Sequence, residues 1–587
     1  MLKRKTSIIL IAVLILAMIV TSCTGAKESG TQTGDTGTKT TDKDAAPKTG
    51  TSDSEEPYEL TIFCADNNIA DYPLDLENRP KLKLIKEMLK DKFNIELSLE
   101  TAVGSRFVEV LNTRMASAAN LPDIIVHRYD DVTLNNVYNN GLILDLTDLI
   151  KEHAPNIAKT YFEEDPYYII ANGTADGKIL RVIQIVKNIQ HTVTTLNVRY
   201  DWCKAVGMEL PETTDQFYNM LKAFQEQDVN GNGMKDEIFM PDYVAMNQSL
   251  STSFGVMKMN GASDSWFADS TGKIYHTMLT DEAKNYIAYV AKLYGEGLID
   301  PDFLNQTQDQ ISEKRYANRM AGGVGAWWNS VLQSTALNAY AINAEFVSIP
   351  PLYNDEGTRH ILKRNYAGGN CWMLTKDCRH PEAAIKMLDW FYTTDGSNYA
   401  YYGEIAPGGE YYVRDVAEAE KFGLQISPHV LTATDRFRQE QATEPDLRYK
   451  LGINTNVFPH KRVGRNDDIA WEFYNTYTEV VCGLAANIEY NMKVLNMFVN
   501  DIGVQDIGFV TPNSEQIKVI EETTDLFAYM DEMIQKFMTG VEPLSNWDNF
   551  VKQCESMGIN KVRDVMQQRY DDYLRVMESY GFKVIKG

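Results

Sequence analysis

Between residues 58 and 126 the chain switches between two hydrophobic periods, and this alternation constrains its fold more than any other feature. Leu60, Ile62 and Cys64 recur at every second position around Thr61 and Phe63, a strand pattern that ends in the polar turn Asp66-Asn67-Asn68. Leu82, Ile85, Met88 and Leu89 then share one helical face, and Ile95, Leu97 and Leu99 return to a period of two. Phe107, Val110, Leu111 and Met115 form a second helical stripe, and Pro122-Asp123-Ile124-Ile125-Val126 reads as a short buried strand. A β-α-β-α-β order predicts a parallel sheet covered by helices. Ligands of such sheets sit beyond the carboxyl ends of the strands. Asp66, Asn67, His127 and Arg128, which follow the first and third strands, are therefore expected to face a cleft; the alternative for each is a solvated loop.

The N-terminus constrains location. Lys3, Arg4 and Lys5 precede an apolar run from Ile8 to Val20, which as a helix would be about 20 Å long against a hydrocarbon core of about 30 Å. That is too short to span but suits a signal peptide, residues 1–22. Val20-Thr21-Ser22-Cys23 resembles the lipobox of bacterial lipoproteins, which implies that Cys23 carries fatty acyl chains (palmitate among them) and begins the mature protein. An ordinary signal peptide with a chance cysteine is the alternative. Residues 23–56 are Thr, Gly, Ser, Asp and Lys with almost nothing apolar, the composition of a disordered linker. As a flexible leash it reaches roughly 30 Å. The folded body is expected outside the cell, at the outer face of the membrane, held there by the lipid alone.

That body is about 530 residues, enough for two large lobes. Loss of the three cationic residues in 1–22 takes the net charge from −24 to −27, which repels phosphate backbones and argues against nucleic acid. Cys64, Cys203, Cys371, Cys378, Cys482 and Cys554 are too scattered for a disulfide framework, and most of them are expected as buried small hydrophobes. Val193–Val198 is β-rich, and Arg199-Tyr200-Asp201-Trp202 after it reads as a crossing between lobes, with Phe346–Pro351 as the return. Pro381 opens an amphipathic helix through Ala384, Ile385, Leu388 and Phe391, and from Ile517 the pattern is helical almost to the end.

One motif carries inorganic chemistry. Asp228, Asn230, Asn232 and Asp236 occupy positions 1, 3, 5 and 9 of a turn with Gly233 at position 6, the first part of an EF-hand calcium loop. Met234 would contribute its carbonyl. Position 12 is Phe239 rather than Glu, and Glu237 is the candidate for the missing carboxylate. A metal-free Asn-Gly turn is the alternative; a shell of protein oxygens would make calcium structural. A second feature is Gly322-Gly323-Val324-Gly325-Ala326-Trp327-Trp328. On a strand the two indoles point to opposite faces, so at most one of Trp327 and Trp328 would meet the cleft while the other packs in the core. Indoles offer flat platforms to the C–H faces of sugars. Trp266, Trp372, Tyr401 and Tyr402 are further candidates.

From Tyr58 onward the chain resembles the extracellular solute-binding lipoproteins of bacterial ABC importers, of the alginate-oligosaccharide-binding and LplA-like type. The blocks that carry the resemblance are Leu121–Ile125, Gly141–Ile150, Asn197–Trp202, Asp228–Glu237, Gly297–Phe303, His380–Ala384 and Lys536–Gly540 before Trp547-Asp548. It implies an α/β, helix-rich, two-lobed periplasmic-binding-protein-like fold of type II with the ligand cleft between lobes, and a structural calcium at 228–237. It implies a monomer that captures a carbohydrate and passes it to membrane permeases driven by a separate ATPase. The expected division is residues 57–195 and 196–350 for the two lobes, with 351–587 returning to the first and ending in helices shared by both. After Glu404 the stretch Ile405–Gly409 departs from the pattern of many relatives, so ligand identity does not carry over. No G-x-S-x-G, H-E-x-x-H, Walker A or G-x-G-x-x-G motif occurs, and no catalytic set is expected. Two other readings stay open: a surface-anchored polysaccharide-degrading enzyme, since paired carboxylates need no motif, and a peptide-binding or sensor lipoprotein.

Overall fold

The structure, a computed structural model, describes residues 56–66, 79–164, 167–170, 174, 177–187, 194–325, 337, 342–363, 370–403, 411–413, 417–420, 425, 431–443, 457–459, 461–463, 503–579 and 581. Cys23, the signal peptide, the linker up to residue 55, Asn67, Trp327, Trp328 and Cys482 lie outside the described residues.

The first lobe opens with β1 (Tyr58–Asp66), α1 (Pro80–Phe93), β2 (Ile95–Val103), α2 (Gly104–Ser117) and β3 (Ile124–Val126). Strand β1 pairs in parallel with both others, Ile62 standing opposite Leu99 on one side and Ile124 on the other. The strand period distributes side chains to two cores: Leu60, Ile62, Cys64, Ile124 and Val126 on one face, Phe63 and Ile125 on the other. Helix α1 starts on Pro80, whose missing N–H costs nothing there, and stops at Asn94 in the left-handed region, φ 53°. Next come α3 (Asp131–Asn139), capped by the Asp130 side chain on Thr133 N, then α4 (Tyr167–Ile170), β4 (Val182–Ile183) and β5 (Ile185–Lys187).

The second lobe begins at β6 (Thr195–Arg199), followed by α5 (Tyr200–Ala205), α6 (Thr214–Glu226), β7 (Ile238–Phe239) and α7 (Tyr243–Ser249). A hairpin of β8 (Trp266–Ala268) and β9 (Ile274–His276), helix α8 (Asp281–Gly295), β10 (Met320–Gly325), β11 (Phe346–Ile349) and β12 (Ile361–Lys363) complete this pass. The chain then returns with β13 (Cys371–Leu374), α9 (Pro381–Trp390), α10 (Thr394–Tyr402), the pair β14 (Tyr412–Val413) and β15 (Thr432–Ala433), and β16 (Lys461–Val463). After β17 (Gly503–Gln505) come α11 (Ser514–Glu521), α12 (Thr524–Met538), α13 (Trp547–Ser556) and α14 (Ile559–Ser579).

The first sheet has the order β2-β1-β3-β13-β4, with β13 antiparallel to both neighbours, and the second β11-β6-β10-β7. Two expected crossings are corrected. Strand β6 already lies inside the second sheet, paired to β10 and β11, and Trp202 is buried in the second core, so Arg199–Trp202 does not cross between lobes. Phe346–Ile349 is likewise β11 of that sheet. The chain passes between sheets after β5, after β12 and after β16 instead. Around these passages lie two parallel ribbons, β5 with β16 and β12 with β17. The C-terminal helices join the second core: Met530, Phe537, Trp547, Phe550, Tyr570 and Tyr573 pack in one cluster with Phe217, Phe239 and Trp266.

Candidate functional site

Strands β1, β2, β3 and β4 point the same way, so their carboxyl ends define one edge of the first lobe. Asp66 is the last residue of β1, in register with Val103 at the end of β2. His127 and Arg128 follow β3 directly. The His127 N–H donates to Cys371 O at 2.9 Å, which ties this edge to β13. Its ring sits between Phe107, centroids 5.6 Å apart, and Tyr129, edge-on at 4.7 Å. Burial lowers the His127 pKa against the opposing pull of Asp130, so the imidazole is neutral at pH 7 and offers one donor and one acceptor. Arg128 is exposed.

Sequence reasoning missed Tyr129. It is 5% exposed, its hydroxyl has no hydrogen-bond partner among the described residues, and burial raises its pKa to about 12. Its carbonyl accepts from Arg181 Nη1 at 2.9 Å. No pattern marks it, because a tyrosine after a strand reads as core or surface equally well. Trp266, Trp372 and Tyr402 are drawn into cores. Trp266 packs edge-on to His276 at 4.7 Å, Trp372 donates from Nε1 to Val457 O at 2.8 Å, and Tyr402 packs on Tyr412 at 4.9 Å. In this arrangement none of the three presents a free ring face, for exposures are 1%, 0% and 4%. Tyr401 is only partly buried, edge-on to Tyr402 at 4.7 Å.

On the second lobe, β10 runs antiparallel to β6 and ends at Gly325, whose carbonyl accepts from Thr195 Oγ1 at 3.1 Å. Gly322 serves packing: a Cβ there would stand 2.5 Å from Asn197 O. A cavity of about 280 Å³ bordered by Tyr58, Phe93, His380 and Lys386 lies at the amino end of β1, away from the strand carboxyl ends.

The 228–237 turn has the convergent shape its spacing predicts. Asp228 accepts from Asn232 N at 3.0 Å and Gly233 N at 2.9 Å; Asn230 and Asn232 both reach Asp236 Oδ1 at 2.9 Å. Glu237 accepts from the N–H groups of Asn230 and Asp236, each at 3.2 Å. Gly233 has φ 79°, a conformation a β-carbon resists. The Met234 side chain is exposed, so only its carbonyl is available to an ion. Arg319 Nε lies 3.0 Å from Asp236 Oδ2, so one of the three carboxylates of the turn, those of Asp228, Asp236 and Glu237, is paired with a guanidinium. Burial raises the Glu237 pKa, a direction that a bound cation would reverse. Among the described residues no three His, Cys, Asp or Glu side chains are grouped to hold a metal ion. A cation at this turn would have to draw on amide and main-chain oxygens as well, hard donors of the kind that suit calcium.

Among solved structures, alginate-binding protein AlgQ2 without calcium ion superposes with a TM-score of 0.65 at 20% identity, covering 88% of this chain and 99% of that one. The Streptococcus pneumoniae substrate-binding protein FusA in complex with kestose gives 0.64 at 20% identity, with the same coverage. These neighbours have the two-lobed solute-binding fold, and the α/β, helix-rich architecture here is of that kind. In sequence, the fructooligosaccharide ABC transporter substrate-binding protein FusA of Streptococcus pneumoniae serotype 4 is 24% identical over 84% of this chain and 88% of its own length. The polygalacturonan/rhamnogalacturonan-binding protein YtcQ of Bacillus subtilis strain 168 is 27% identical over 39% of this chain and 44% of its own. Residues 78–397, more than half the chain, match the family model for bacterial extracellular solute-binding proteins, and the chain belongs to that family.

Proposed function

We propose that the protein captures an oligosaccharide outside the cell and delivers it unaltered to the permeases of an ABC importer. The observation that carries this reading is the match with a fructooligosaccharide-binding transporter component along 84% of the chain. The first-lobe edge supports it: His127, Arg128 and Asp66 are the mixed donors and acceptors that sugar hydroxyls need. In this proposal Asn67 and one of Trp327 and Trp328 complete the contact set. Lobe closure supplies the capture step, and reopening the release. Moving an equilibrium from 1:99 to 99:1 takes about 5.5 kcal/mol of differential binding, and a micromolar ligand supplies about 8 kcal/mol. Capture can therefore drive closure and still leave net affinity. Calcium at 228–237 is a structural ion in this proposal, and Cys23 holds the protein to the outer face of the membrane. Among the described residues no helix is long and apolar enough to cross a membrane.

Titration calorimetry with fructo-, alginate and galacturonate oligosaccharides tests the reading. Saturable heat at micromolar concentration with at least one of them, and the sugar recovered intact, is expected. Silence with every sugar and heat with peptides would refute it, as would new reducing ends in the recovered sugar.

A further inference from the structure

Two helices of the first lobe are fastened to the second lobe beside the crossings. On α3, Asp131 and Asn135 lie one turn apart on one face. Asn135 is 7% exposed and donates from Nδ2 to Pro512 O at 2.6 Å. The Asp131 carboxylate stands 3.8 Å from Arg181 Nη2 of its own lobe and 3.5 Å from Arg569 Nη2 on α14. Arg569 is itself anchored, its Nε donating to Val510 O at 2.7 Å and its guanidinium lying 5.6 Å from the Phe509 ring centre. The other fastening is α4. Tyr168 and Ile169 belong to a first-lobe core, whereas Ile170, the next residue, belongs to the core of the second lobe. The strap 506–512 that receives these contacts begins one residue past the end of β17, next to a crossing.

A hydrogen bond of 2.6 Å can lengthen by only about 0.6 Å before it leaves the bonding range, far less than a swing of whole lobes demands. Relative motion of the lobes must therefore either rupture this seam or turn about it. Rupture would pull Ile170 from a packed core, leaving a void, and would strand the buried amide of Asn135. Rotation about the seam costs neither. The Asp131 carboxylate, shared by an arginine from each lobe, adapts to a small turn by favouring one partner over the other. The Asn135–Pro512 bond cannot, so it marks the axis. We infer that the seam of α3 and α4 against the 506–512 strap and α14 is the fulcrum of lobe motion. The inference rests on the two-lobed fold and is independent of what the cleft binds.

Pulsed electron–electron distance measurements on the ligand-free full chain test it, with spin labels attached through a keto amino acid to spare the native cysteines. Asn136 and Glu515, both exposed, report on the seam; Val108 and Val244, exposed on α2 and α7, which follow the carboxyl ends of β2 and β7, report between the lobes and serve as the mouth pair. The seam distribution is expected to be at most half as wide as the mouth distribution. Asn135→Leu with Ile170→Ala should at least double the seam width; Asn135→Asp, a milder change, should widen it in the same direction. Equal widths at the two pairs in the unmodified protein, or a seam width that ignores both variants, would overturn the proposal. No sugar is needed, so failure of the carbohydrate reading leaves this result intact.

Discussion

The two lobes reach similar ends by different routes. In the first, β1, β2 and β3 pair within about seventy residues of sequence, and only β13 and β4 are added later. In the second, β6 finds its partners at 320–325 and 346–349, and the core is closed by helices between 514 and 579. The first lobe is thus largely local and the second is assembled from three separated stretches. That difference teaches where the molecule is vulnerable: distant substitutions near the C-terminus should damage the second lobe selectively.

The largest effect should come from Tyr570→Ala. Tyr570 is fully buried on α14 in the second core, and its loss should cost about 4 kcal/mol. Differential scanning calorimetry should then resolve two transitions, the second lobe melting first; a single shifted transition would show that the lobes unfold together.

Acid should separate the lobes next. His276 is buried on β9, one ring nitrogen 2.7 Å from Ala262 O and the other accepting from Met278 N at 3.3 Å, an arrangement that requires the neutral ring. Burial lowers its pKa to about 4. A histidine that is harder to protonate when folded contributes stability that is complete above its unfolded pKa near 6.5 and declines as pH falls toward 4. The loss should be about 3 kcal/mol by pH 4, and denaturant melts should show His276→Gln losing less between pH 7 and 4 than the native chain.

Much of the first lobe was legible because its information is local. A period of two or of 3.6 residues survives in any window, and each strand from β1 to β3 stood where its pattern put it. The crossings were misread for the complementary reason. Val193–Val198 reads as β-rich, and β6 does cover Thr195–Arg199, but a strand pattern does not name its partner, and β6 pairs with residues more than a hundred positions away. Aromatic candidates divided along the same line. Residue type makes Trp266 and Trp372 look like platforms, whereas packing decides, and it buried them. The 228–237 turn was legible because its oxygens are all supplied within ten residues.

That turn gives a third test of the contrast, since it lies wholly in the second lobe. Calcium at a hundredfold excess over its Kd should stabilise this lobe by about 2.7 kcal/mol, and chelation should remove the gain. The two-transition Tyr570→Ala protein makes the assignment direct: only the lower melting temperature should respond, and Asp236→Asn should abolish the response.

The smallest change sharpens the picture of the second sheet. A β-carbon at Gly322 would meet the Asn197 carbonyl, so Gly322→Ala should cost about 2 kcal/mol by urea denaturation while leaving the first-lobe transition in place.

The central claim is that these lobes close over an unaltered solute. Small-angle X-ray scattering of the full chain, with and without the sugar that gives the strongest calorimetric signal, tests it most directly. A smaller radius of gyration on binding, reversed when the intact sugar is dialysed away, is the result this account predicts. An unchanged radius at saturating sugar would contradict it.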